Sequence, residues 1–280
     1  MQACRDKVAV VTGAASGIGQ GLAAKSAALG MKVVIADIDA DSLRAMETKL
    51  REQGATVLAV RTDVADYESV TALADATWRQ FGKVNFLFNN AGVLVDGLSW
   101  ERSVEDWRWS FDVNTMDVVH GIKAFVPRML ESGEDGVVIN TASQAGLIVG
   151  PFLGPYTASK HAVVGSSETL HDELSLLNAK VKAAVLCPGE VATRIWDSER
   201  QRPQQYGEKP RFSTDAETTF REIVSTGVAR GMSPAQLADF VFDALAQGKF
   251  WRFPHPDFKA IYTRRYETVI DEQTPEVMKF

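Results

Sequence analysis

The sequence predicts an α/β fold: a single domain built on a doubly wound parallel β-sheet of about seven strands, with helices on both faces. Three observations carry this. Short β-branched runs alternate with amphipathic stretches, the pattern of parallel strands joined by helical crossovers. The first of those runs leads through a glycine-rich turn into a helix. No linker or repeat divides the 280 residues, and a chain of that length can bury one large core.

The elements follow in order. Lys7-Val8-Ala9-Val10-Val11 opens a buried strand over 7–12, and Thr12-Gly13-Ala14-Ala15-Ser16-Gly17-Ile18-Gly19 turns into a helix over 17–29, closed by Gly30. Such a turn lets the backbone approach a pyrophosphate, and the helix N-terminus offers free N–H groups to the anion. Its spacing is G-x-x-x-G-x-G rather than the dinucleotide fingerprint G-x-G-x-x-G. A second strand, 32–36, ends in Asp37, whose carboxylate can accept hydrogen bonds from an adenosine ribose and would repel a 2′-phosphate. No Arg or Lys stands at Ala15, Ser16 or Ile38 to offset that charge, so the cofactor is expected to be NAD, with NADP disfavoured.

Strands are expected next at 56–61, 84–88, 136–140, 181–187 and 249–253, and helices at 41–53, 67–81, 104–131, 155–178, 215–229 and 234–247. Ser233 caps the last of these helices, Pro234 suits its first position and Gly248 its end. Leu237, Phe240, Val241, Ala244 and Leu245 form its apolar stripe. In the helix over 155–178, Tyr156 and Lys160 are four residues apart and share a face. A cation beside a phenol favours the phenolate, which suits the pair to acid/base work on an alcohol or ketone. Residues 197–214 are polar and without period, as long functional loops often are.

Composition sets limits. Hydrophobic content is 45% and charged content 24%, ordinary for a globular protein. A net charge of −6 argues against a nucleic-acid partner. No apolar run reaches a membrane span, and MQACRDK has no hydrophobic signal region, so a cytoplasmic location is expected. Cys4 and Cys187 make no disulfide framework, and His120, His161, His171 and His255 lack metal-ligand spacing.

Thr12-Gly13 to Gly19, Asp63-Val64, Asn89-Asn90-Ala91-Gly92, Asn114, Ser143, Tyr156 with Lys160, and Pro188-Gly189 with Thr193 occur in one order over residues 8 to 193. In this the chain resembles the short-chain dehydrogenase/reductase family, with a Rossmann-type sheet. The resemblance implies that Tyr156 exchanges the substrate proton. Lys160 would lower the Tyr156 pKa and hold the nicotinamide ribose, and Ser143 would bind the substrate oxygen. Asn114, read as lying mid-helix, would position a water linking Lys160 to solvent. For the cofactor it implies Gly13, Ser16, Gly17, Ile18, Gly19 and Asp37 around the pyrophosphate and ribose. Asp63 and Val64 would hold the adenine, with Asn90, Ala91 and Gly92 beside the adenosine. Pro188, Gly189, Val191 and Thr193 would lie at the carboxamide end.

The family places its substrate loop after Pro188-Gly189, so 190–230 is expected to be a lid. Expected pocket walls are Leu94, Val95, Gln144, Phe152, Leu153, Glu190, Ile195, Trp196, Tyr206 and Phe212. HGIKAFVPRML and ERQRPQQYG resemble dehydrogenases of bulky aryl secondary alcohols, including the Cα-dehydrogenases of lignin-derived β-aryl ethers. The domain is taken as 1–253, with 254–280 an extension of it: PHPDF is not regular helix, and 258–270 can be. Family members form homodimers or homotetramers through the helices at 104–131 and 155–178. The reading is an NAD-dependent oxidoreductase acting on a small-molecule alcohol or ketone, without nucleic-acid or membrane partners. Its rivals are an NADP-dependent carbonyl (3-oxoacyl-type) reductase and a catalytically silent NAD-sensing protein on the same fold.

Overall fold

A computed structural model describes residues 4–208, 211–275 and 277. Seven strands, β1 (Val8–Thr12), β2 (Lys32–Asp37), β3 (Val57–Arg61), β4 (Phe86–Asn89), β5 (Gly136–Thr141), β6 (Val181–Leu186) and β7 (Trp251–Arg252), form one sheet in the order β3-β2-β1-β4-β5-β6-β7. Every pairing is parallel. The expected single sheet is present, although β7 is shorter than 249–253.

Each central strand is apolar on both sides, because helices cover both faces. On one face, Leu22 and Ala23 of α1 (Gly17–Ala28), Leu43, Met46 and Leu50 of α2 (Ala40–Glu52), and Leu237 and Val241 of α8 (Pro234–Ala246) pack against Val11, Val33 and Ile35. On the other, Val70 and Leu73 of α3 (Tyr67–Phe81), Phe125 and Met129 of α5 (Met116–Glu131), and Leu170 and Leu174 of α6 (Gly154–Leu176) meet Val10, Val34 and Val138. Full burial of such a side chain contributes about 1.5–3 kcal/mol. The ends are set locally. Asp39 and Asp66 cap α2 and α3, and Ser233 with Gln236 makes a capping box on α8.

Two expectations need correction. The helix expected over 104–131 is two helices, α4 (Val104–Asn114) and α5, meeting at Thr115. Asn114 therefore ends α4 rather than lying mid-helix. Its side chain pairs with the backbone of Val93, accepting from its N–H at 2.8 Å and donating to its carbonyl at 3.0 Å, while Thr115 Oγ1 donates to the Ser159 carbonyl at 3.2 Å. The second correction is that 197–214 is not without regular structure. Its described residues hold most of a 3₁₀ stretch at Ile195–Gln201 and a 3₁₀ turn at Gln204–Tyr206, and α7 (Asp215–Arg230) follows it. Beyond β7, α9 (Lys259–Ile270) buries Tyr262 against Val163, Val164 and Cys187, and Arg265 Nη1 donates to the Leu147 carbonyl at 2.9 Å. No helix among the described residues is long and apolar enough to cross a membrane.

Candidate active site

The strand order reverses between β1 and β4, and in a sheet of this kind the crevice beyond the strand ends at that point receives the ligand. A cavity of about 330 Å³ opens there. It is lined by Gly13, Ser16, Ile18, Asp37, Asp63, Val64, Asn90, Ala91, Gly92, Ser143, Tyr156, Lys160, Pro188, Gly189, Val191 and Thr193, all expected at the site. Gly17 and Gly19 form the turn beneath it, and Asn114 supports Val93 from behind.

The glycine turn is close-packed. Gly13 has φ +59°, and a Cβ there would lie 2.9 Å from Ala91 Cα. A Cβ on Gly19 would overlap the Gly13 carbonyl and come within 2.7 Å of Asn90 Nδ2. Thr12 ties the two strand ends together: its hydroxyl accepts from the N–H groups of Asn90 at 2.8 Å and Ala91 at 3.0 Å. Whereas carboxylates cap α2 and α3, Ser16 makes no side-chain cap on α1, whose first turn holds no acid. The N–H groups of that turn are thus left for an anion, and the cradle fits the pyrophosphate of a nicotinamide dinucleotide.

At the adenosine end, Asp37 accepts from the N–H of Ala15 at 3.0 Å and of Asp39 at 3.1 Å. Burial nevertheless pushes its carboxyl above the ordinary value. His120 is buried with Nδ1 2.9 Å from the Val64 carbonyl.

At the other end, Ser143 follows β5 and shares a hydrogen bond with the Tyr156 hydroxyl. Lys160 lies one turn beyond Tyr156 with its Nζ 5.8 Å from the Tyr156 ring, donating to the Thr141 carbonyl at 3.0 Å. Burial drives Lys160 down to about 8, against the opposing charge of Asp117. The expected lowering of the Tyr156 phenol is not what this geometry produces. Burial raises it, and the Ser143 hydrogen bond is the opposing influence. Cys187, behind this group, is pushed up to about 12 by burial and stays a thiol.

The lid side departs most from expectation. Of the ten expected walls only Ile195 and Tyr206 line the cavity; Val93, Trp109, Val113 and Val228 stand where the others were placed. Leu94 is buried with its N–H on Ser198 Oγ at 3.0 Å, and Val95 packs with Trp109 and Tyr206. Gln144 is buried against Gly189, and the Phe152 ring lies tilted against that of Phe220 with centroids 5.4 Å apart. Leu153 pairs with Gly97 ahead of α6. Glu190 is exposed, its carboxylate against Gly227, and the rings of Trp196 and Phe212 lie 5.9 and 5.5 Å from the Arg221 guanidinium.

The cause is a set of long-range ties. Arg202 pairs with buried Asp106, donates to the Tyr206 carbonyl at 2.8 Å and lies 4.9 Å from the Trp109 ring. Arg102 and Glu217 form a buried pair at 4.0 Å, and Arg221 meets Asp96 at 3.2 Å. These ties carry the segment across the cleft to the adenosine end. Gln201 Nε2 donates to Asp39 Oδ2 at 3.0 Å, and Tyr206 donates to Asp112 at 3.0 Å within electrostatic reach of Asp63. Trp109 and Val113 are four residues apart on one face of α4, a spacing that could have marked them together in the sequence. Nothing local marks His255, whose Nδ1 accepts the N–H of Gly189 at 3.1 Å. Among the described residues no cluster of ligands could hold a metal ion.

The family model for short chain dehydrogenases matches residues 7–204. A short chain dehydrogenase/reductase from Burkholderia phymatum, solved in complex with NAD, is 42% identical, with 99% of this chain and 98% of that one covered and a TM-score of 0.95. The CLA biosynthesis dehydrogenase/reductase of Lactiplantibacillus plantarum is 33% identical over 99% of this chain and 98% of its own. A C alpha-dehydrogenase of Sphingobium sp. is 28% identical over 98% of this chain and 89% of its own. The chain belongs to the short-chain dehydrogenase/reductase family and is an oxidoreductase that acts on alcohols with a nicotinamide cofactor.

Proposed function

We propose that this short-chain dehydrogenase/reductase is an NAD-dependent enzyme that interconverts a secondary alcohol and a ketone, with Tyr156 as general acid/base. The observation that carries the reading is the convergence of Tyr156, Ser143 and Lys160 on the cleft beside the glycine turn. A bound nicotinamide dinucleotide supplies the hydride acceptor or donor. Gly13 to Gly19 would hold its pyrophosphate, Asp37 its adenosine ribose, and Asp63 with the Val64 backbone its adenine. Val191 and Thr193 would hold the carboxamide.

The residues divide the remaining work. Ser143 orients the substrate oxygen toward the Tyr156 hydroxyl. In oxidation Tyr156 takes the alcohol proton, and in reduction it returns one to the ketone oxygen. Lys160 holds the nicotinamide ribose, and its positive charge offsets the cost of a buried phenolate. Asn114 keeps Val93 in place and, through Ser159 at 2.9 Å, fixes the start of α6.

NAD is preferred over NADP because the Asp37 carboxylate occupies the adenosine end. Arg200, which lines the same cavity, turns its guanidinium to the carbonyls of Arg194 and Asp197. Val93, Ile195 and Val228 offer an apolar wall for a bulky hydrophobic or aryl substrate, a class that the likeness to the C alpha-dehydrogenase also supports. Val104, Leu176 and Leu177 are exposed on α4 and at the end of α6, which favours a homodimer or homotetramer joined there.

The test is a panel of aliphatic and aryl secondary alcohols with NAD+ and NADP+ in parallel, for wild type and Tyr156→Phe. Turnover of aryl alcohols with NAD+, lost in Tyr156→Phe while NADH binding persists, is the expected result. Retained turnover in the variant removes Tyr156 from the mechanism. NADH binding with no turnover of any alcohol would favour an NAD-sensing protein.

A further inference from the structure

We propose that His255, in the segment beyond β7, is a positioning residue for the nicotinamide end of the site: its imidazole continues the sheet ladder to the Pro188-Gly189 turn and fixes that turn. The inference rests on the reading that the nicotinamide lies against Pro188 to Thr193.

β6 and β7 pair in parallel. In their ladder Val185 N–H donates to the Phe250 carbonyl at 3.0 Å, and Cys187 N–H to the Arg252 carbonyl at 3.0 Å. Two residues further on each strand, Gly189 is the next donor and Pro254 the next acceptor. Pro254 has no N–H to return to the Cys187 carbonyl, so the regular ladder ends there. The Gly189 N–H goes instead to His255 Nδ1 at 3.1 Å. Facing an N–H, Nδ1 is an acceptor and carries no proton.

The turn has a use for that acceptor. Pro188 and Gly189 line the cavity, and Gly189 has no side chain to hold its backbone. On either side the chain is tied backbone to backbone. The Pro188 carbonyl accepts the Gln144 N–H at 2.9 Å, the Glu190 carbonyl accepts the Met232 N–H at 3.0 Å, and Ala192 N–H donates to the Met232 carbonyl at 2.9 Å. Between these ties His255 supplies a side chain. Without it the Gly189 N–H would lose its partner, and the turn would shift to find another.

The imidazole is held ready for this role. Pro254 and Pro256 flank His255, and Pro256 keeps the residue before it out of the helical region. The His255 backbone has φ −118° and ψ 87°. Just beyond it α9 is anchored beside the same strand end. Tyr262 packs with Cys187, and the Arg265 guanidinium donates to the Leu147 carbonyl in the loop that follows Ser143. The segment after β7 thus touches the backbone beyond Ser143 and at Gly189.

The test compares three substitutions of His255. His255→Ala removes the acceptor, and the single-turnover rate of NAD+ reduction by an alcohol should fall about tenfold, the weight of one hydrogen bond. NADH affinity, which the glycine turn and Asp37 are expected to dominate, should change by less than about threefold. His255→Asn places an amide oxygen where Nδ1 stood and should restore the rate to within about threefold of wild type. His255→Gln carries the same amide one carbon farther out and should behave like His255→Ala. Packing alone would not distinguish the two amides. Equal rates in His255→Asn and His255→Gln, or an unchanged rate in His255→Ala, overturn the proposal. Should the variants fail to fold in a thermal melt, wild-type protein labelled with ¹⁵N-glycine and ¹⁵N-histidine decides. A glycine amide should correlate with an unprotonated imidazole nitrogen across the hydrogen bond and shift when NADH is added. A missing correlation, or one that NADH leaves in place, overturns the proposal. Thr193→Ala tests the underlying reading separately. An unchanged rate and NADH affinity there would mean that the nicotinamide lies elsewhere, whereas equal His255→Asn and His255→Gln rates in an enzyme impaired by Thr193→Ala overturn the role of His255 alone.

Discussion

The glycine-turn side of the cleft and the side closed by the segment after Arg194 are built on different principles. The glycine turn, Asp37, and the ends of β1 and β4 are held by backbone contacts between adjacent strands and by Thr12. The loop 93–103 and the segment 195–217 are held by Arg202–Asp106, Arg102–Glu217 and Arg221–Asp96. These pairs join residues distant in sequence, and two of them are almost wholly buried. A buried ion pair adds little net stability, but removing one partner is costly because a charge is left behind. The segment after Arg194 is therefore held by charge pairs between distant residues, and the glycine turn by local packing that tolerates no added atom.

Four substitutions break or sharpen that contrast. The largest effect is expected from Gly19→Ala. A Cβ would overlap the Gly13 carbonyl, and NADH affinity measured by fluorescence titration should fall at least about 100-fold, or about 2.7 kcal/mol. Near-normal affinity would mean that the cradle is more forgiving than its packing implies.

Arg202→Ala tests the other half. It leaves Asp106 buried without its guanidinium, at a cost of about 3–5 kcal/mol. Because the strain falls on the lid, proteolysis should move to 195–214 and kcat/KM for a bulky alcohol should drop, while the melting of the sheet changes far less. A global loss of stability with an intact lid would contradict the division.

Asp37→Ala should weaken NAD about tenfold, near 1.4 kcal/mol, and narrow its advantage over NADP. An unchanged preference in parallel kinetics would remove the ribose contact from the argument. The smallest effect belongs to Gln201→Ala, which cuts the tie to Asp39 across the cleft. One such hydrogen bond contributes about 1 kcal/mol. NADH release in stopped-flow displacement should quicken about fivefold with little change in substrate KM. Equal release rates would show that the lid does not retain the cofactor.

The sequence by itself determined the sheet, its helical cover and the cofactor cradle. Val8–Thr12, the glycine turn and Asp37 are close in the chain, and the short range of steric and capping forces makes such groups readable in order. Tyr156 and Lys160 were legible for the same reason, since one helical turn brings them together. Tertiary structure alone decided the lid, the break at Thr115 and the electrostatics. No periodicity foretells that Arg202 reaches Asp106, so Phe152, Leu153 and Trp196 were expected at a cavity that Val93, Trp109, Val113 and Val228 line. The rise of the Tyr156 phenol depends on burial, which the whole fold creates. Local order follows from neighbours in the chain; desolvation and long-range charge pairing exist only once distant segments have closed over them.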